Sequence, residues 1–244
     1  MFQGSSPRLR YRTALCCAAL ACAISLAACQ TAPNVSTSTT PMSTPLPPLP
    51  VPGAIHYVID AQHSDVRFLV YRDGVLASFG HDHVIKATEI QGDIYLAQDF
   101  PASGFSLTLP VNGFTVDDPA ARSVEGPDFA KQPSQAAIDG TRKNMLGPAL
   151  LDAEHYPEVK IRSVRLLGPD WGPDATIRIE LHGTSRYLTV PIAVERSTDT
   201  LTVTGSFELK QSDFGITPFS ALGGGLQVAD SIRVRFRLVA EKAP

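Results

Sequence analysis

From Gly53 onward, apolar and polar residues alternate with period two over most of the chain. The longest run is the last: Leu226, Val228, Asp230, Ile232, Val234, Phe236 and Leu238 share one face, and Gln227, Ser231, Arg233, Arg235 and Arg237 the other. Leu201, Val203, Gly205, Phe207 and Leu209 alternate with Thr202, Thr204, Ser206, Glu208 and Lys210. Ile177, Ile179 and Leu181 form another such set, as do Leu188, Val190, Ile192 and Val194. Near the start, Val66, Phe68 and Val70 alternate with Arg67, Leu69 and Tyr71. Successive side chains of a strand point to opposite faces. Each run therefore predicts a strand with one apolar and one solvated face, as in antiparallel sheet. About eight or nine such strands would leave no exposed edge once closed into a barrel.

Turn residues punctuate these runs. Tyr57-Val58-Ile59-Asp60 leads into His63-Ser64, and Asp73-Gly74 predicts a hairpin whose second arm runs from Val75 to Val84. Gly205 and Gly223-Gly224-Gly225 are expected to mark bends or space. One stretch breaks the pattern. Between Ser134 and Leu151, Ile138, Met145 and Leu146 fall among Ala, Arg and Lys, which predicts one helix of about two to four turns ended by Gly147-Pro148. The expected fold class is all-β, an antiparallel barrel with one short helix.

The first 29 residues read as an export signal. Arg8, Arg10 and Arg12 form a positive front, and Ala14 to Ala28 is an apolar run too short to cross a bilayer. It ends Leu26-Ala27-Ala28-Cys29, which resembles the bacterial lipobox, whose cysteine is acylated and becomes the mature N-terminus. The alternative is an ordinary signal peptide cut after a small residue. Gln30, not Asp, follows the cysteine, so the expected place is periplasm-facing at the outer membrane. All four cysteines (Cys16, Cys17, Cys22 and Cys29) lie in this segment, so the mature domain has no internal disulfide and no thiolate metal site. Gln30 to Pro52 holds seven Pro and eight Ser or Thr. It reads as an extended linker that would reach about 70 Å. The chain's formal charge is −3; without the three leading arginines 18 basic residues face 24 acidic ones, a balance of −6. That argues against nucleic acid, which needs a basic face. No second long apolar run occurs, so acylated Cys29 is the expected membrane attachment.

Four stretches together resemble the YceI-like family of bacterial lipid-binding proteins. They are Tyr57 to His83, with its Tyr-x-Ile-Asp strand and His-Ser pair; Leu151 to Ser163, with Tyr156-Pro157 before a strand; Leu181 to Arg186, a glycine-threonine hairpin; and Gln211 to Ile216. The resemblance covers about Ala54 to Lys242. It implies an elongated lipocalin-like barrel with a short helix near its mouth. The implied hollow interior holds a polyisoprenoid such as a quinone or isoprenyl lipid, with no cofactor required. Some members of the family pair, so a homodimer is among the implied states. Two features depart from simpler members: Pro119 to Gly140 looks like an insertion or a remodelled loop, and Gly80-His81-Asp82-His83 stands where many members carry no histidine pair.

On this reading the chain binds, sequesters or transports an amphiphile and is not an enzyme. The lipid-binding wall would be Val66, Phe68, Val70, Phe105, Leu107, Leu109, Ile177, Ile179, Leu181, Phe207, Val234 and Phe236. Arg142, Lys143 and Asn144 would lie near the mouth, where they would meet an anionic head. Alternation alone does not decide whether the barrel is hollow or filled by its own side chains. A filled barrel would be a structural or partner-binding domain. A third reading is a metal site: His81 and His83 project to one face of a strand, His63 would add a third nitrogen, and His155 or Asp152 a fourth ligand. Three histidines with an open position would make a metal-dependent hydrolase. The plainer role for these histidines is to cap the barrel end and orient a ligand's head. His63-Ser64-Asp65 lacks an oxyanion hole and partners from separate segments, so no catalytic residue is assigned and Ser64 is expected to bond backbone at the strand start.

Overall fold

The computed structural model describes residues 46–244. The export signal, Cys29 and most of the Pro-rich segment lie outside the described residues. The strands are β1 (Ile55–Ile59), β2 (Asp65–Asp73), β3 (His83–Ala87), β4 (Gln91–Leu96), β5 (Gly104–Pro110), β6 (Phe114–Val116), β7 (Glu158–Leu167), β8 (Asp174–Leu181), β9 (Thr184–Arg196), β10 (Thr200–Lys210), β11 (Ser220–Ala221) and β12 (Leu226–Lys242). Between β6 and β7 lie α1 (Pro119–Ser123) and α2 (Gln135–Leu146). Eight antiparallel strands close into a barrel in the order β1-β4-β5-β7-β8-β9-β10-β12, with β12 returning to β1. The expected all-β antiparallel barrel is the fold. Among the described residues no helix is long and apolar enough to cross a membrane.

β12 is the seam. One edge pairs with β10 from Thr200↔Glu241 to Lys210↔Ser231. The other edge is shared. β1 takes its end (Tyr57↔Lys242, Ile59↔Ala240), and β2 takes the rest (Phe236↔Val66, Val234↔Phe68, Ile232↔Val70). The chain must step between the two, and the step would orphan backbone groups of Val239. Ser64 and Asp60 prevent this. Ser64 Oγ accepts from the Val239 N–H at 2.9 Å, and the Asp60 N–H donates to the Val239 carbonyl at 2.8 Å. Ser64 thus has the structural role expected of it. Beyond the step, β2 carries β3 and β6 as a three-stranded wing.

Two turn expectations separate here. His182-Gly183 is a two-residue loop between Leu181↔Thr184, with both residues at positive φ (50° and 69°), as a right-twisted hairpin requires. Asp73-Gly74 is different. Leu76 donates its N–H to the Gly225 carbonyl at 2.7 Å, so the turn is tied to a neighbouring glycine loop rather than closed on itself. A 3₁₀ turn at Ala77–Phe79 follows, and the second arm begins only at His83, not Val75. The helix appears where periodicity placed it. Ser134 Oγ caps it by accepting from Ala137 N–H at 3.3 Å, and it stops before Gly147.

The Pro119 to Gly140 segment covers the outer face of β2 and β3. Leu69 and Val84, which face away from the lumen, are buried beneath Ala121 and Phe129 with Tyr71 alongside. This is why Leu69 and Tyr71 stand in the otherwise polar register of β2. Arg67 and Arg235 sit directly opposite each other across β2 and β12, an unfavourable pairing of like charges. Glu125, from the same segment, bridges them at 2.7 and 2.6 Å. The Pro-rich segment also meets the barrel earlier than expected. Arg162 donates to the Pro47 carbonyl at 2.6 Å, so packing begins before Gly53.

Candidate functional site

The inward faces of the strands enclose a hollow of about 480 Å³. This lies within the range of small-molecule sites, and favours the hollow alternative of the two that alternation left open. All twelve side chains assigned to the wall line it: Val66, Phe68 and Val70 from β2, Phe105, Leu107 and Leu109 from β5, Ile177, Ile179 and Leu181 from β8, Phe207 from β10, and Val234 and Phe236 from β12. The face assignment follows from register. Val66, Phe68 and Val70 stand opposite Phe236, Val234 and Ile232, so one alternating set implies the other. Gly205 does not mark empty space. It stands opposite Phe236, and a Cβ there would lie 2.5 Å from the ring's Cζ, so the missing side chain is the room the ring occupies.

The two ends of the hollow differ. At one end Tyr57, opposite Ile94, and Ile59 lie on one face of β1 and are buried in the core. At the other end the lining includes exposed Phe79, Asn144, Phe219 and Gln227, which make the mouth. Most of the polar lining gathers there: Arg72, His81, His83, Thr141, Asn144, Gln211 and Gln227; Ser103, before β5, is the exception, and its hydroxyl accepts from the Ala97 N–H at 3.0 Å. Of the helix residues expected at the mouth, Asn144 joins the lining. Arg142 donates instead to the Asn112 carbonyl at 2.8 Å, and Lys143 is exposed.

The mouth rests on a buried charge cluster that the sequence did not reveal. Asp117 follows β6 at φ 55°, a left-handed conformation that Asp tolerates better than most residues. The turn is clasped to β3 twice: the Asp117 N–H donates to the Val84 carbonyl at 2.8 Å, and Oδ1 accepts from the Val84 N–H at 2.9 Å. Oδ2 meets His83 Nδ1 at 2.6 Å. Arg122 Nη1 donates to Oδ1 and, at 2.8 Å, to the Asp82 carbonyl; Nη2 donates to the Lys131 carbonyl at 2.7 Å. Burial alone would raise the Asp117 pKa, but the hydrogen bonds from His83, Val84 and Arg122 outweigh it and hold the carboxyl below its ordinary value. Asp82, also buried, accepts from the Arg72 N–H at 2.8 Å and pairs with its guanidinium at 3.3 Å. His81 lies with its ring 6.2 Å from that of His83; burial, then the neighbouring His83, lowers its pKa. The only sequence signal was Asp117-Asp118-Pro119, which marks a helix start and gives no hint of a partner 34 residues upstream.

The structure does not bring the expected metal ligands together. His81 is not on a strand, since β3 begins at His83. His63 precedes β2, whereas His83 pairs with Val70 near the far end of that strand, about 20 Å away at the usual rise per residue. His63 bonds Asp60 instead, and His155 bonds Asp152 at 2.9 Å. Among the described residues no three metal-ligating side chains converge.

A family model described as the YceI-like domain matches residues 57–240. A search of curated proteins found no match. Among solved structures, BcnA of Burkholderia cenocepacia is similar at a TM-score of 0.55 and 16% identity, covering 74% of this chain and 98% of that one. A polyisoprenoid binding domain from Saccharophagus degradans is similar at 0.53 and 17%, covering 78% and 99%. At these identities the structures speak for the fold alone; with the family match covering most of the chain, the protein belongs to the YceI-like family.

Proposed function

We propose that the protein binds a long-chain amphiphile, a polyisoprenoid such as a quinone or isoprenyl lipid, with its tail in the lumen and its head at the mouth. The observation that carries this is the asymmetry of one hollow: walls of Val, Ile, Leu and Phe along its length, and all of its polar lining but Ser103 gathered at one end. Removing a tail from water contributes about 0.8 kcal/mol per buried methylene, against the cost of immobilising it. The printed description of the Saccharophagus degradans neighbour as a polyisoprenoid binding domain supports the same ligand class. The protein acts as a carrier or store without a chemical step. Acylated Cys29 would anchor it to the periplasm-facing side of the outer membrane, with the Pro-rich segment as tether.

The test is mass spectrometry of an organic extract of the full chain purified from a bacterial envelope. It is run beside the variant Ile179→Arg/Phe236→Arg, which places two cations in the wall. We expect a stoichiometric isoprenoid in the wild type and none in the folded variant. An equal yield from both would assign the lipid to the surface or the anchor and defeat the lumen reading.

A further inference from the structure

We propose that the mouth contains a head-group subsite in which Asp117 fixes the tautomer of His83 and the free Nε2 accepts a hydrogen bond from a hydroxyl on the ligand. The ligand class is then an uncharged long-chain alcohol or phenol, not a phosphate or carboxylate. This rests on the reading of the lumen as a tail site and adds the chemistry of the head.

Three observations lead here. First, His83 Nδ1 faces the carboxylate of Asp117 at 2.6 Å, and that carboxylate is inaccessible to solvent. A carboxylate has no proton to give, so Nδ1 carries the hydrogen, and in the neutral imidazole Nε2 is left with its lone pair. Second, the ring nitrogens lie on either side of one carbon, so Nε2 is turned away from Asp117. His83 lines the hollow, and its Nε2 has no hydrogen-bond partner among the described residues. Third, the charges at this end are already matched. Asp117 is paired with Arg122, and Arg72, the one guanidinium in the lining, with buried Asp82. An anionic head would find no unpaired cation in the lining, whereas a hydroxyl finds an oriented acceptor. The neighbouring His81 is held toward its neutral form by burial, in keeping with an uncharged head. Asp117 is a positioning residue: it never touches the ligand, but it decides which nitrogen is offered.

The probes are geranylgeraniol, its methyl ether and geranylgeranyl phosphate, each titrated against the full chain. The alcohol and the ether share a tail and differ in the donor. We expect the alcohol to bind about three- to tenfold more tightly than the ether, the effect of one net hydrogen bond, and the phosphate to bind more weakly than the alcohol. In His83→Phe the ratio of alcohol to ether affinity should fall to about one, whatever the change in the tail binding that the two probes share. Nitrogen-15 NMR of the wild-type imidazole should show the Nδ1-protonated tautomer. Equal binding of alcohol and ether, preference for the phosphate, discrimination that persists in His83→Phe, or the opposite tautomer would each overturn the subsite and leave tail binding intact. If none of the three probes binds, it is the tail reading that fails, and the subsite with it.

Discussion

Ile179 in the lumen wall and Asp117 beneath the mouth are both almost wholly buried, at 2% and 1% exposure, yet they answer to different constraints. Ile179 is one of many apolar groups in a wall where any residue of similar size serves, since cores tolerate volume-conserving exchange. Asp117 has no substitute. Its carboxylate meets three donors and its backbone two more partners, and the groups it satisfies come from β3, α1 and the loop after α1. The wall is redundant and the clasp is singular. Tail binding should therefore degrade gradually under wall substitutions, while the mouth should fail as a unit.

The sharpest test of that contrast is Asp117→Ala. It strands Arg122, 3% exposed, as an unpaired charge. Breaking a buried pair from one side costs about 3–5 kcal/mol, and denaturant unfolding should show a loss of that size. Ile179→Val should cost about 0.5–1.5 kcal/mol. If the two losses were equal, the clasp would be no more than ordinary packing. The same carboxylate sets an acid limit. Its folded-state pKa lies below the unfolded value, so its contribution is complete above that value, 3.8, and is lost as pH falls through the folded one. Wild-type stability should therefore fall more steeply than that of a folded Asp117→Asn variant from about pH 4 downward.

The same contrast explains what the sequence disclosed. Wall residues are legible because a period of two is written locally: Val66, Phe68 and Val70 declare their face without knowledge of their partners. His182-Gly183 is legible for a similar reason, as its turn is closed by its own neighbours. The clasp is not. Asp117 and His83 meet only because β6 returns beside β3, and no local pattern encodes that approach. Asp73-Gly74 misled for the same reason, since the bond that shapes that turn comes from Gly225, far along the chain. The histidine pair drew notice as a metal motif, but its meaning lay in the carboxylate behind it.

Within the wall, the least replaceable position should be Gly205. A side chain there meets the Phe236 ring and, at 3.2 Å, the backbone carbonyl of Pro191. Gly205→Val should cost about 1–3 kcal/mol as overpacking and should weaken tail binding by displacing the ring inward. Phe236→Ala in the same chain should restore much of the lost affinity. Two effects that simply add would show that the positions do not share space.

An ion pair on the barrel's outer face gives the smallest expected effect and the cleanest control. Arg233 and Glu208 stand opposite each other on β12 and β10 at 2.9 Å, as close as many buried pairs, but their side chains are 43% and 56% exposed. Water solvates both partners when they separate, so Glu208→Gln should cost no more than about 1 kcal/mol and less as salt is added. Distance alone would rank this pair near that of Asp117 and Arg122; burial ranks them far apart. A loss at Glu208 comparable to that at Asp117 would mean that the clasp owes its strength to charge pairing in general rather than to its removal from water.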